Sequence, residues 1–516
     1  MNNVKADYIL LSNNIFTAKS ENTFQGFVAI KGNKILKVEE GINFEGIRDE
    51  HTKVYDFKEE LITPGFIDVH TFFTGYSIFH IGADFSKVES TDECLRVLEK
   101  EQRNLSEEKT IYGHGWNPNK FCDEGIENIL TEKFPDQCVV IFSADRGNCL
   151  LNKKSKDTFG FSSENCYPEA YYKIMPEYLN DKSFIEPEFN RYMKMMNSRG
   201  VTAVKEMGFD NFYGFDNFLK KEEEEKKLSL RVFFMSQPVG ERMNIEFGKE
   251  MRDKFKGDFV RFSGYNCMTD GTVASGRGDL LEPYEGKSSC CGMEIDYEQI
   301  EEDVRLADKN GFRYSLHAQG DGAVHKVMKI YEGCQRKNGK LLNRHAVTDM
   351  EFTNPKDLKR LGELGVTGEI YFQIMSLDPG NEVKKSINDM IGEERGKYFW
   401  NRRCMLDSGM VLSGATDLPL MITDIPEAIY YSCGGYFPEG GEPYNKQNTI
   451  SIAEILKAWT IGGAYNLGME EKIGTLEEGK LADITVLSKN VFKVPYEEMR
   501  DIKVKFTMCD GNVVYQ

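Results

Sequence analysis

Gly65-Phe66-Ile67-Asp68-Val69-His70 is a short apolar run that ends on an imidazole. A helical pattern near 91–103 follows it, and the same alternation recurs along the chain. Val139-Val140-Ile141-Phe142 comes next, and Val201-Thr202-Ala203-Val204 follows a helical pattern near 186–199. Leu230-Arg231-Val232-Phe233-Phe234 follows the charged run 220–227, which reads as a solvated helix face with i,i+4 pairs. Arg313-Tyr314-Ser315-Leu316, Ala346-Val347, Gly368-Glu369-Ile370-Tyr371-Phe372 and Met410-Val411-Leu412-Ser413 complete the series. About eight strands separated by helices predict an α/β fold of repeated βα units, a TIM (β/α)8 barrel, with a doubly wound sheet as second choice. A barrel puts its chemistry just after the strands, at their C-terminal ends.

Outward from this middle, both ends of the chain read as short strands. Tyr8-Ile9-Leu10-Leu11 is one, and Gly26-Phe27-Val28-Ala29-Ile30 and Ile35-Leu36-Lys37-Val38 flank the turn Gly32-Asn33. Near the other end, Asp483-Ile484-Thr485-Val486-Leu487 precedes a hairpin, in which Val504–Met508 and Asn512–Tyr515 flank Cys509-Asp510-Gly511. Strands from both termini can pair in one module. The expected division is a β-sandwich part at 1–63, the barrel at 64–468 and the second sandwich part at 469–516.

The 516 residues carry 65 Lys plus Arg against 83 Asp plus Glu, a formal charge of −18. This acidic balance, without a basic cluster, argues against a nucleic-acid binder. No apolar run approaches a membrane span, and the first twenty residues lack the pattern of a signal peptide. The 12 cysteines have no regular spacing, so reduced thiols and a cytoplasmic location are expected. Histidine is scarce: there are 7, at positions 51, 70, 80, 114, 317, 325 and 345.

Four strand ends carry a His or Asp: His70, His317, Asp349 and Asp417. Imidazole and carboxylate are ligands for zinc or manganese. Each alone reads equally well as a hydrogen-bonded polar residue at a barrel mouth; the four together favour a site. Lys205 and Glu206 also end a strand, as a carboxylated lysine, a ligand, an ion pair or a support for a ligand. His325 and His345 lie off these positions and read as ordinary surface or helix histidines.

Pro64-Gly65-Phe66-Ile67-Asp68-Val69-His70 resembles the opening motif of the amidohydrolase superfamily, and Gly474-Thr475-Leu476-Glu477-Glu478-Gly479-Lys480-Leu481-Ala482-Asp483-Ile484 resembles its closing motif. Gly113-His114-Gly115-Trp116-Asn117, His317-Ala318-Gln319-Gly320-Asp321-Gly322-Ala323, Thr416-Asp417-Leu418-Pro419-Leu420 and Asp270-Gly271-Thr272 with Glu282-Pro283-Tyr284 resemble signatures of its amidohydrolase 3, or YtcJ-like, branch. The resemblance implies a distorted TIM barrel with a small β-sandwich built from both termini. It also implies metal-assisted hydrolysis of amide-like C–N bonds, with the carboxylate after the last strand moving the proton. A small-molecule substrate and a homodimer follow as expectations. His114, Trp116 and Asn148 would belong to substrate-facing loops.

The chain departs from that pattern. The expected His-x-His is His70-Thr71-Phe72, and Phe72 either lines an apolar substrate pocket or fills the space of a lost metal. The bridging lysine position is Asn266, or Arg261 in another alignment, and neither forms a carbamate. The sixth-strand histidine corresponds to Asp349, and the Gly-His of the substrate loop to Gly147-Asn148. Three readings follow. In the first, one divalent metal, zinc or manganese, is held by His70, His317 and Asp417, with Asp349 as a further oxygen. In the second, Asp417 and Asp349 do acid–base work with His317 and no metal. In the third, the chain is an inactive binding or scaffold relative. For an active enzyme the bond broken is that of an amide or cyclic amide, or alternatively a C–C bond of a cyclic 1,3-diketone.

Overall fold

The computed structural model describes residues 4–106, 108–121, 125–144, 148–160, 173–174, 181–208, 215–238, 242–422 and 424–516. The chain divides into two compact units, residues 1–71, 193–211 and 219–516 in one and residues 72–192 and 212–218 in the other.

The first unit holds eight parallel strands: β1 (Phe66–Thr71), β2 (Val201–Glu206), β3 (Arg231–Ser236), β4 (Val260–Met268), β5 (Tyr314–Ala318), β6 (Ala346–Asp349), β7 (Thr367–Ile370) and β8 (Val411–Gly414). They pair in sequence order from β1 to β8. The two edges meet at their C-terminal ends, where Asp417 N donates to His70 O at 2.9 Å and Thr71 bridges Leu418 in parallel. The result is the expected barrel, nearly closed, rather than an open doubly wound sheet. Every residue of β1, β2, β3, β5, β6 and β7 is buried. Polar side chains on such strands have no water to turn to and must find protein partners.

Two strand assignments are corrected. Val139–Ser143 is not a barrel strand; it pairs with Ile111–Trp116 and Cys149–Leu151 in a four-stranded sheet of the second unit. The strand missing from the sequence reading is β4. Its sequence, VRFSGYNCM, has no continuous apolar run. Gly264 interrupts its period at φ 112, where a Cβ would stand 2.5 Å from the Arg313 carbonyl oxygen. The four-stranded sheet of the second unit has its own core, including Phe85, Trp116, Val139 and Ile141. A helix at Thr91–Gln102 packs there through Cys94 and Leu98, and Ser90 caps it by accepting from Glu93 N.

Both termini build one sheet. Leu61–Pro64 and Ile484–Leu487 pair antiparallel and join the two ends of the chain. The hairpins at Gly32-Asn33 and Asp510-Gly511 form as expected. The strand Tyr8–Ile15 is a branch point: its first half pairs with Lys53–Asp56 and its last residues with Leu61–Ile62. Tyr55 therefore meets Phe506 at 5.3 Å between ring centroids, across an apolar core. Buried Arg231 of β3 ties this sheet to the barrel, with Nε and Nη2 donating to both oxygens of Asp483 at 2.8 and 3.0 Å. No helix among the described residues is long and apolar enough to cross a membrane.

Candidate functional site at the barrel mouth

The C-terminal ends of β1, β5, β6 and β8 bring His70, His317, Asp349 and Asp417 to one end of the barrel. They meet as two pairs. His70 Nε2 lies 3.6 Å from Asp417 Oδ1, and His317 Nε2 lies 3.5 Å from Asp349 Oδ2. Among the described residues, the expected ligand set His70, His317 and Asp417 does not form a three-donor cluster. The one set of three donors within 4.8 Å of each other is Asp308, Cys334 and His345. That set lies at the opposite end, where His345 Nδ1 accepts from Tyr314 N at 2.9 Å and Nε2 meets Asp308 at 3.0 Å. Both ring nitrogens are thus committed to the protein. His345 is fully buried and stacks on Tyr331 at 5.0 Å, which corrects its reading as an ordinary surface or helix residue. His325 does sit on a partly exposed helix face, paired with Asp357 at 3.0 Å.

Glu369 is the site residue that the sequence reading missed. It is fully buried on β7. Its Oε1 accepts from Lys205 Nζ, from Arg313 Nη2 at 3.2 Å and from Ser315 Oγ at 3.1 Å. Its Oε2 accepts from Thr348 Oγ1 at 2.9 Å and faces His70 Nδ1 at 3.7 Å. Burial alone would raise its pKa, but Lys205, His70 and Arg313 hold it well below the usual carboxylate range. A carboxylate facing Nδ1 fixes the imidazole tautomer and turns Nε2 toward Asp417. Tyr371, just after β7, packs edge-on against the His70 ring at 5.7 Å.

Lys205 and Glu206 are not partners of each other. Adjacent strand residues point to opposite faces. Lys205 goes to Glu369, while Glu206 accepts from Thr71 Oγ1 at 2.7 Å. Burial pushes the Lys205 pKa down to about 7 against the pull of Glu369.

Asp417 leaves the strand in the left-handed region at φ 50, and Asp349 does so at φ 76. Non-glycine residues take such angles at a cost, and they cluster at functional sites. The Asp417 side chain keeps 26% exposure, the most open of the four. Burial pushes its pKa up to about 6, opposed by His70 and His317 and reinforced by Asp349 and Asp68. Asp68 steadies this corner by accepting from Thr416 N at 3.1 Å and Thr416 Oγ1 at 2.6 Å. Burial would lower the His317 pKa, but Asp349 overrides it and holds the imidazole above its ordinary value. Gln319 Nε2 donates to Asp349 Oδ2 and stands 3.2 Å from His317 Nε2. His317 Nδ1 is buried with no hydrogen-bond partner among the described residues.

Asn266 takes the place of the expected lysine and donates to Gln237 at 2.8 Å, while Arg261 pairs with Asp258 at 2.9 Å. Phe72, His114, Trp116 and Asn148 belong to the second unit. Phe72 caps the helix Phe73–Ile78. His114 Nδ1 meets the Ile81 carbonyl at 2.9 Å, and Trp116 Nε1 donates to Phe121 O at 3.0 Å within the apolar core. Asn148 N donates to Ser143 Oγ at 3.0 Å. Gly147 lies outside the described residues.

The family model described as "Amidohydrolase family" matches residues 53–515. The Bacillus subtilis (strain 168) protein YtcJ is 22% identical over 93% of this chain and 95% of its own. The N-substituted formamide deformylase of Arthrobacter pascens is 21% identical over 99% of this chain and 98% of its own. Among solved structures, an uncharacterized metal-dependent hydrolase from Pyrococcus horikoshii OT3 superposes with a TM-score of 0.72 at 18% identity, covering 95% of this chain and 99% of that one. With a nearly closed parallel barrel, a sheet built from both termini and a family match over almost its whole length, this chain belongs to the amidohydrolase family and is a hydrolase of that superfamily.

Proposed function

We propose that the chain hydrolyses the C–N bond of an amide or cyclic amide at the barrel mouth, with one divalent ion, zinc or manganese, held at His70 and Asp417. The observation that carries this reading is the 3.6 Å separation of His70 Nε2 and Asp417 Oδ1 across the closing seam of the barrel. Adjacent donors of a tetrahedral zinc shell stand about 3.4 Å apart, so the pair fits one shared ion. The buried, unpartnered Nδ1 of His317 is a further nitrogen at the same end. The deformylase relative supports the amide as bond class.

The metal would supply Lewis acidity, lowering the pKa of water and polarising the carbonyl. The protein groups do the rest. Asp417, pushed up to about 6, is ionised at neutral pH yet basic enough to take a proton from water and pass it to the leaving nitrogen. Glu369 keeps the His70 ring in one tautomer. His317, held above its ordinary pKa by Asp349, lies at the same end of the barrel as a second imidazole.

A second reading is cleavage of a cyclic 1,3-diketone, supported by His317, whose imidazole Asp349 holds above its ordinary pKa and which could donate to an oxyanion. Hydroxide adds to one carbonyl carbon, the adjacent C–C bond breaks and its electron pair forms an enolate. A proton then restores the ketone, and a keto acid is the product. Elemental analysis of the purified chain, followed by turnover on matched panels of cyclic amides and cyclic 1,3-diketones, tests both readings. No bound metal and no turnover on either panel would leave the inactive scaffold relative standing.

A further inference from the structure

The turn Phe399–Arg402 lies against the end of β6. Trp400 N donates to Glu351 O at 2.8 Å, and Phe399 bridges Phe352 antiparallel. Glu351 and Phe352 directly follow Asp349 and Met350, so the turn sits at the same end of the barrel as the two His–Asp pairs. Trp400 holds a left-handed φ of 47, which is costly for a bulky side chain.

Arg402 is 3% exposed and Trp400 8%. Arg402 Nε and Nη2 and Trp400 Nε1 are buried donors that meet no acceptor among the described residues. The guanidinium stands 5.9 Å over the Trp400 ring and forms no ion pair among the described residues. Of the other buried arginines, Arg231 pairs with Asp483 at 2.8 Å and Arg313 with Glu369 at 3.2 Å. The Nε and Nη2 edge of Arg231 grips both oxygens of Asp483, and that same edge of Arg402 has no acceptor among the described residues. A buried cation left unpaired is strongly unfavourable, and the Nε–Nη2 edge matches the planar, two-oxygen geometry of a carboxylate.

We propose that Arg402, assisted by Trp400 Nε1, is the receptor for a carboxylate carried by the substrate, at the end of the binding site beyond Asp349. This names a substrate class, a cyclic acid, and rests on the barrel mouth being the substrate site. Burial pushes the Arg402 pKa down to about 10, with Cys433 and Asp349 opposing, so the guanidinium stays charged at neutral pH. It would offset the repulsion an anionic substrate meets from Asp349 and Asp270.

The test is isothermal titration of the full chain in its Asp417→Asn form, so that no turnover intervenes and failure of hydrolysis leaves the readout intact. The probes are pyroglutamate and dihydroorotate, against the same rings without the carboxylate, 2-pyrrolidinone and dihydrouracil. Binding of at least one ring acid, about tenfold or more tighter than its neutral ring, is expected. Adding Arg402→Gln should abolish that preference, and Arg402→Lys should restore part of it; circular dichroism checks the fold of each. Open-chain glutamate and N-carbamoylaspartate separate a substrate carboxylate from one released by cleavage, and binding of these alone overturns the assignment. So does a failure of both ring acids to bind, or a preference that survives in folded Arg402→Gln.

Discussion

His70 and Glu369 face each other inside the barrel, Nδ1 to Oε2 at 3.7 Å, while the other edge of the imidazole faces Asp417. The carboxylate that orients His70 is also the anion that neutralises Lys205 and Arg313. Glu369→Gln would leave buried Arg313 without its anion and remove the group that favours a proton on Lys205. Breaking such a pair costs roughly 3–5 kcal/mol. Urea unfolding monitored by circular dichroism should show a large drop in midpoint; an unchanged midpoint would remove Glu369 from its central place.

Asp417→Asn should lower the hydrolytic rate by about a hundredfold to ten-thousandfold, the usual worth of a general base. The side chain is partly open and keeps its shape, so the melting temperature should hold. Turnover within a few-fold of the parent would remove Asp417 from the base role.

The pH profile follows from the same group. A base must be ionised, and Asp417 is pushed up to about 6 from 3.8. That value belongs to the site without an ion, and a cation held on the carboxylate pulls it lower, so the rate should be flat at neutral pH and fall about tenfold per unit only below about 6. A limb lying well above that value, measured in kcat/KM, would show that another group carries the proton.

Elemental analysis should find about one zinc or manganese per chain. His70→Ala and Asp417→Ala should each reduce the metal content, and chelation should abolish activity reversibly. Full metal content in both variants would place the ion elsewhere.

The Asp308–His345 pair supplies a control. His345→Phe removes the acceptor of Tyr314 N and the partner of Asp308, so stability should fall by about 1–3 kcal/mol. Metal content and specific activity of the folded fraction should not change. A loss of metal would make that end of the barrel an ion site after all.

The parts of this molecule that sequence made legible are those governed by local chemistry. The terminal hairpins announce themselves through Gly32-Asn33 and Asp510-Gly511, because few other residue pairs turn so tightly. His70, His317, Asp349 and Asp417 were found by their position after strand runs. β4 was not found, because Gly264 breaks its pattern for the sake of a close backbone approach to Arg313. Glu369 looked incidental within a short strand; its partners come from β2, β5 and β6, and only the closed ring assembles them. The burial of His345 and Arg402 depends on distant elements, so nothing in their own neighbourhoods announced it. The three-ligand cluster expected from family resemblance became two pairs, because Asp349 engages His317 while His70 turns to Asp417.

The closing seam has a consequence for biosynthesis. His70 is made early and Asp417 late, and their contact forms only when the first and last barrel strands come together. On the proposed mechanism, a nascent chain still short of Asp417 holds one half of the pair and should not hydrolyse substrate on the ribosome. Under that proposal, catalytic competence becomes a readout of completed ring closure, and truncated or misjoined barrels should stay chemically silent.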